Sequence, residues 1–276
     1  MKADHHIHMV LDGVAWKNAI GRQREAVDVS AVRQILDKYR ELGYGYLRDG
    51  GDRWGVGKMA REFAAEYGIV YRTPLAPLCK KGHYGAFIGE IYEDLREYAH
   101  LVVRHRENGA DFIKIMISGL MDFDRFGVLT EEGLPTREIR ELIHIAHEEG
   151  MAVMAHANGA RTAEAAAAAG VDSIEHGAYL DGEALAVMDE MRTVWVPTVS
   201  TVANLRGKGR FDEGAVVRIF ESTMENLACY RGFVAVGSDA GAWAVEHGCE
   251  TEENLLLQVC DRERLEAGGQ RIREKF

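Results

Sequence analysis

The sequence predicts an α/β fold, a (β/α)8 TIM barrel, and three observations point to it. Short β-rich runs alternate with helical segments through eight repeats of the same order. The 276 residues are close to the ~250 typical of one such barrel. Thirty glycines against four prolines suit many short turns between strands and helices. A doubly wound open sheet is the rival, but no G-x-G-x-x-G follows the first strand. No linker, repeat or composition break divides the chain, so residues 1–276 are read as one domain.

The runs expected to form strands are residues 5–10, 44–47, 69–73, 112–117, 152–155, 173–174 with their flanks, 194–199 and 233–236. The first helix, residues 32–42, places Ile35, Leu36, Tyr39 and Leu42 on one face. The other helices are expected at 58–67, 91–106, 136–149, 161–169, 183–191, 213–230 and 252–265. Five of these helices run into Gly43, Gly68, Gly109, Gly150 and Gly170, natural positions for a left-handed cap. The longer connections, 79–90, 118–135, 200–212 and 239–251, all follow strands. In a barrel they crowd the C-terminal rim, where active sites are built.

Composition removes several function classes. The net charge of −11 disfavours nucleic acid and anionic membrane surfaces, because phosphates need a basic face. No apolar run approaches the ~20 residues of a membrane helix, and the first residues carry no apolar leader. Cys79, Cys229, Cys249 and Cys260 form no C-x-x-C pair, so neither a zinc knuckle nor a redox dithiol is expected. A reducing, cytoplasmic setting is the expectation.

The strand ends carry the chemistry. His6 and His8 are two residues apart on the first strand and face the same way. Lys114 interrupts an apolar fourth strand, His156 and His176 end the fifth and sixth, and Asp239 ends the eighth. Singly, each has an ordinary reading as a hydrogen-bonded or capping residue. Together, four imidazoles, a buried lysine and a carboxylate on one rim need a cation to be satisfied. Imidazole and carboxylate suit zinc and its neighbours. His5 points to the opposite face and is excluded. His144 and His147 lack H-E-x-x-H or H-x-x-E-H spacing and read as helix surface.

Five ordered segments carry a resemblance: Asp4-His5-His6-Ile7-His8, Phe112-Ile113-Lys114-Ile115-Met116, Ala155-His156-Ala157-Asn158-Gly159, Ser173-Ile174-Glu175-His176-Gly177 and Gly237-Ser238-Asp239-Ala240-Gly241. Together the sequence resembles the amidohydrolase superfamily of metal-dependent hydrolases, most closely its imidazolonepropionase-related, prolidase-like branch. Members of that branch usually carry a small β-sandwich, which is expected to be absent here. The resemblance implies a binuclear centre. His6, His8 and Asp239 would hold one divalent ion and His156 and His176 the other. Lys114, carboxylated by CO2, would bridge them. Zinc is expected, with manganese, iron or cobalt as substitutes. Burial would lower the ordinary lysine pKa of ~10.4 and supply the neutral amine that CO2 requires. Two metals sharing a hydroxide would polarise a substrate carbonyl, and Asp239 would relay the proton to the leaving amine.

The expected activity is hydrolysis of a C–N bond in an amide, dipeptide or cyclic amide. Lactone hydrolysis or mononuclear deamination at the same site are alternatives, as is a barrel that binds a metal or small molecule without turnover. Family deaminases place a glutamate three residues past the fifth-strand histidine, where this chain has Gly159. His83, Tyr84, Arg125, Tyr179, Trp243 and His247 lie in rim loops where any could touch substrate; Tyr179 and His247, each close after a ligand strand, are the preferred pair, with Arg125 and His83 next. Arg48 and Asp49 are expected to pair within the barrel mouth. Lys80, Lys81, Arg125, Arg206, Lys208 and Arg210 give the rim positive charge on a negative chain, which suggests a small anionic substrate. A homo-oligomer is expected, to cover the barrel bottom.

Overall fold

A computed structural model describes residues 1–276. The chain begins with β1 (Lys2–Ile7), and α1 (Trp16–Arg22) and α2 (Val29–Glu41) follow. The Asp28 carboxylate caps α2 by accepting from Ala31 N, and Val32, Leu36 and Tyr39 form its buried stripe. β2 (Tyr44–Asp49), α3 (Val56–Ala64) and β3 (Val70–Arg72) come next. Two short strands, β4 (Leu78–Lys80) and β5 (Glu90–Tyr92), precede α4 (Leu95–Glu107). The regular alternation then runs β6 (Ile113–Met116), α5 (Thr136–Glu148), β7 (Val153–Ala157), α6 (Ala160–Ala168), β8 (Ser173–His176), α7 (Gly182–Glu190) and β9 (Val194–Val196). The chain finishes with α8 (Ser200–Ala203), α9 (Glu213–Cys229), α10 (Thr251–Leu256) and α11 (Arg262–Lys275). Aspartate caps also start α4, α7, α9 and α11. The five helix-ending glycines all take positive φ, as their positions require.

All strand pairs are parallel, in one sheet of order β1-β2-β3 and another of order β5-β4-β6-β7-β8-β9. Residues 233–236 form an isolated bridge rather than the expected regular strand, yet their backbone reaches both sheets. Trp195 N donates to Phe233 O at 2.9 Å, and His5 N donates to Val236 O at 2.9 Å. A second link between the sheets runs from just before β6 to just after β3, where Asp111 N donates to Thr73 O at 3.0 Å. The result is a TIM-barrel-type α/β fold with helices outside and strand ends gathered at one rim.

Two helix expectations are corrected. The helix placed at 91–106 begins only at Leu95, because Ile91 pairs with Cys79 in a strand. The helix placed at 252–265 is two helices, since Asp261 starts a new one by capping Arg264 N. That second helix, α11, covers the barrel bottom. Its Ile272 and the terminal Phe276 join Tyr46, Phe112, Met154 and Val196 in one apolar cluster. Close approach depends on Gly268, where a Cβ would lie 2.0 Å from Val234 O. No helix is long and apolar enough to cross a membrane.

Candidate active site

Above the apolar floor lies a buried charged layer. Arg48 from β2 is fully buried and stacks over the Phe276 ring at 4.5 Å. Its Nη2 donates to Glu175 Oε1 at 2.9 Å, its Nη1 to Ser173 Oγ at 3.0 Å and its Nε to His5 O at 2.7 Å. The expected Arg48–Asp49 pair does not form. Successive strand residues face opposite ways, and Asp49 instead accepts from Met9 N and Thr73 Oγ1. Burial pushes the Glu175 carboxyl up, but Arg48, His6 and Lys114 outweigh it and hold it at about 2.

The next layer holds the histidines. His6 Nδ1 donates to Glu175 Oε2 at 2.6 Å, which leaves Nε2 as a lone-pair donor. That Nε2 lies 3.4 Å from His8 Nε2 and 3.5 Å from Asp239 Oδ1. His8 Nε2 is 3.2 Å from the same oxygen. The ligand atoms of His6, His8 and Asp239 all lie within 4.8 Å of one another. His8 sits against Gly50, whose missing side chain makes room for its ring.

A second group faces the first. The rings of His156 and His176 are 4.5 Å apart, and His176 is 5.1 Å from His6. His156 Nε2 donates to Gly119 O at 3.1 Å, and His176 Nδ1 pairs with Thr198 Oγ1 at 2.7 Å. One ring nitrogen on each is thereby committed and the other is free. Asn158 ties the supporting loops together, donating to Gly119 O and accepting from Ala178 N. Burial, then the Lys114 charge, pushes His6 down to about 4 and His156 to about 3. Burial and the neighbouring histidines push His176 well below its ordinary value. All three are held in the neutral form a metal takes. Asp239 is kept ionised: burial acts against this, but His6 and His8 prevail.

Lys114 projects from β6 into this space, is 1% exposed, and its Nζ has no hydrogen-bond partner. Burial lowers it to about 8, with Glu175 and Asp239 opposing. Asp239 Oδ1 and His8 Nδ1 are also buried without hydrogen-bond partners. Asp239, His176 and Thr198 adopt left-handed backbone at φ 58°, 67° and 50°. Such strain costs ~1–3 kcal/mol per residue and concentrates at functional positions.

The site opens into a cavity of about 700 Å³. His8, Lys114, His156, His176 and Asp239 line its inner end, and Trp16, Tyr84, Phe87, Phe123, Trp243 and Arg210 line the rest. Of the rim residues expected to be able to touch substrate, Tyr84 and Trp243 line it, and Tyr179, His247, Arg125 and His83 do not. Tyr179 packs edge-on against Phe126. His247 has both ring nitrogens engaged, by Tyr39 Oη at 3.2 Å and Leu11 O at 3.0 Å. Arg125 pairs with Asp122 on the surface, and His83 pairs with Glu131. Of the six rim cations, Lys80, Lys81 and Arg125 are ion-paired, and only Arg210 lines the cavity. His5 bonds Val236 O away from the site, and His147 pairs with Asp172. Glu175 and Arg48 are the functional-layer residues whose roles the sequence did not disclose. The available signal was two opposite charges embedded in apolar strands.

Known proteins resemble this chain in sequence and in fold. The profile of the amidohydrolase family matches residues 57–251. Ochratoxinase of Aspergillus niger is 27% identical over 190 residues, covering 64% of this chain and 36% of its own. An uncharacterized protein of Mycobacterium tuberculosis is 30% identical over 132 residues, covering 44% of this chain and 35% of its own. The chain thus spans little more than a third of these curated relatives. In fold, a Xaa-Pro dipeptidase superposes with a TM-score of 0.77 at 20% identity, over 99% of this chain and 75% of that one. The A. niger ochratoxinase structure superposes with a TM-score of 0.74 at 18% identity, over 99% and 69%.

Proposed function

The chain belongs to the amidohydrolase family, and we propose that within it the protein hydrolyses a C–N bond in a small acidic amide, dipeptide or cyclic amide. The observation that carries this reading is the convergence of His8, His156, His176, Asp239 and Lys114 at one cavity end with His6 directly behind them, Lys114 Nζ and Asp239 Oδ1 being buried without hydrogen-bond partners. Unpaired buried charges are costly, and divalent cations would satisfy this donor set. His6, His8 and Asp239 would hold one ion, and His156 and His176 a second. Zinc is the first candidate. Lys114, held near 8, has neutral amine available at physiological pH for carboxylation, which would convert a repelling cation into a bridging anion. Bound metal supplies Lewis acidity at the substrate carbonyl and lowers the pKa of water.

The protein's own groups then divide the work. Glu175 orients His6, while Gly119 O and Thr198 orient His156 and His176. Asp239, kept ionised at the cavity wall, takes the proton of the attacking water and returns it to the departing nitrogen. Deamination with a glutamate three residues past His156 is disfavoured, because Gly159 caps α6 at φ 86°. A side chain there would strain the backbone.

The test is reconstitution with Zn2+ or Mn2+, metal analysis, and turnover of N-acyl amino acids, dipeptides, cyclic amides and lactones. We expect metal uptake, amide turnover, and loss of both in Lys114→Ala. Absence of metal uptake, or a Lys114→Ala variant with native metal content and rate, refutes the reading.

A further inference from the structure

We propose that Arg210, held flat on Trp243 at the cavity wall, is the receptor for a carboxylate on a substrate whose apolar part is aromatic; this rests on the amide-hydrolase reading above. The Arg210 guanidinium carbon lies 3.5 Å from the centre of the Trp243 ring. Face stacking of this kind uses the cation's charge but none of its N–H groups, which point outward in the guanidinium plane. Arg210 makes no hydrogen bond and no ion pair with the protein, so its donor fork remains available for bidentate capture of a carboxylate. Of the other five rim cations, Lys80, Lys81 and Arg125 are neutralised by Glu138, Glu93 and Asp122, and Arg206 and Lys208, though unpaired, do not line the cavity.

The stack is braced. Trp243 meets Phe211 edge-on at 5.1 Å, and Phe211 meets Phe123 at 5.2 Å. Asp212 N donates to Asp124 Oδ1 at 2.8 Å, tying together the loops that carry Phe211 and Phe123. The exposed Arg210 thus has a platform already in place, and its stack on Trp243, modest in strength at an exposed site, favours that position before substrate arrives. Facing groups decide the rest of the ligand. Trp16 and Phe87 pack at 5.4 Å, Phe87 and Tyr84 at 5.8 Å, and Tyr84 lies 4.9 Å from His156. This aromatic run leads from solvent to the metal-ligand group, so the walls suit a planar ring on the way to the reacting carbonyl. A cavity of about 700 Å³ is in the range for ligands larger than a minimal dipeptide.

The test uses N-benzoyl-L-phenylalanine and its carboxamide as probes, titrated into metal-free protein by tryptophan fluorescence. Metal-free protein separates binding from turnover. We expect the acid to bind more tightly than the carboxamide, with the difference shrinking at high salt. Arg210→Gln should weaken the acid ~10-fold or more and leave the carboxamide unchanged. Arg210→Lys should recover only part, because a lysine cannot present a planar fork. With metal-loaded protein, Arg210→Gln should raise KM for the acid more than it lowers kcat. Equal binding of acid and carboxamide, unchanged acid binding in Arg210→Gln, or no binding of the acid at millimolar concentration overturns the proposal. Acid-selective binding through Arg210 without turnover in loaded protein would sustain this subsite and refute hydrolysis. Turnover without that selectivity would do the reverse.

Discussion

Replacing Arg48 by methionine tests the charged layer beneath the histidines. Arg48 is fully buried and makes three donor contacts, at 2.7, 2.9 and 3.0 Å. Methionine fills much of the volume but leaves Glu175, also fully buried, with only His6 Nδ1 and Ser173 Oγ as partners. Breaking a buried pair by removing one member costs ~3–5 kcal/mol, because the remaining charge loses its compensation. That is a large share of the ~5–15 kcal/mol by which a protein is stable. The double variant Arg48→Met/Glu175→Leu removes the stranded carboxylate and should regain most of the loss. It should not regain metal binding, since nothing then fixes the His6 tautomer; zinc affinity should fall ~10–100-fold. Urea unfolding of metal-free protein reads the first effect without mass-action stabilisation by metal, and zinc titration reads the second. A single variant that loses under ~1 kcal/mol, or a double variant no more stable than the single, would refute the reasoning.

Three further outcomes are expected. In Gly50→Ala the new Cβ would lie 2.3 Å from His8 Cε1; zinc affinity should drop ~10-fold or more, and an unchanged zinc Kd would show that His8 is not a ligand. Asp239→Asn should lower kcat by roughly 10²–10⁴ while part of the metal is retained; near-native kcat would remove Asp239 from proton transfer. Burial pushes the Glu252 carboxyl from 4.5 up to about 8, where it accepts from Val199 N and Ser200 N. The folded chain therefore holds that proton more tightly than the unfolded chain. Its contribution to stability is complete below about 4.5 and is lost as pH rises through about 8. Glu252→Gln should flatten that part of the stability–pH curve, and an unaltered slope would show that Glu252 does not titrate there.

The sequence by itself determined the alternation of parallel strands and helices, and with it the rim. Apolar β-rich runs and amphipathic stripes are local patterns, so β1, β2, β6, β7, β8 and β9 and most helices were legible within a few residues. The strand-end positions of His156 and His176 followed from the same periodicity, whereas Asp239 follows an isolated bridge rather than the regular strand expected before it. Tertiary structure alone decided what those side chains meet. Arg48 and Glu175 are 127 residues apart, and only the circular order of strands sets one against the other. The rim loops have no period to read. His247 therefore looked available although Tyr39 and Leu11 hold both its nitrogens, while Arg210 looked like one surface charge among six until Trp243 fixed it at the cavity wall. The bottom cover was hidden for a similar reason. α11 is mostly polar along its length, and its few buried residues acquire their purpose only where Gly268 lets the helix lie against Val234 and Phe276 reaches the floor below Arg48. Local chemistry specifies the elements; the closing of distant loops and strands specifies which charges are paired, and so which remain free to act.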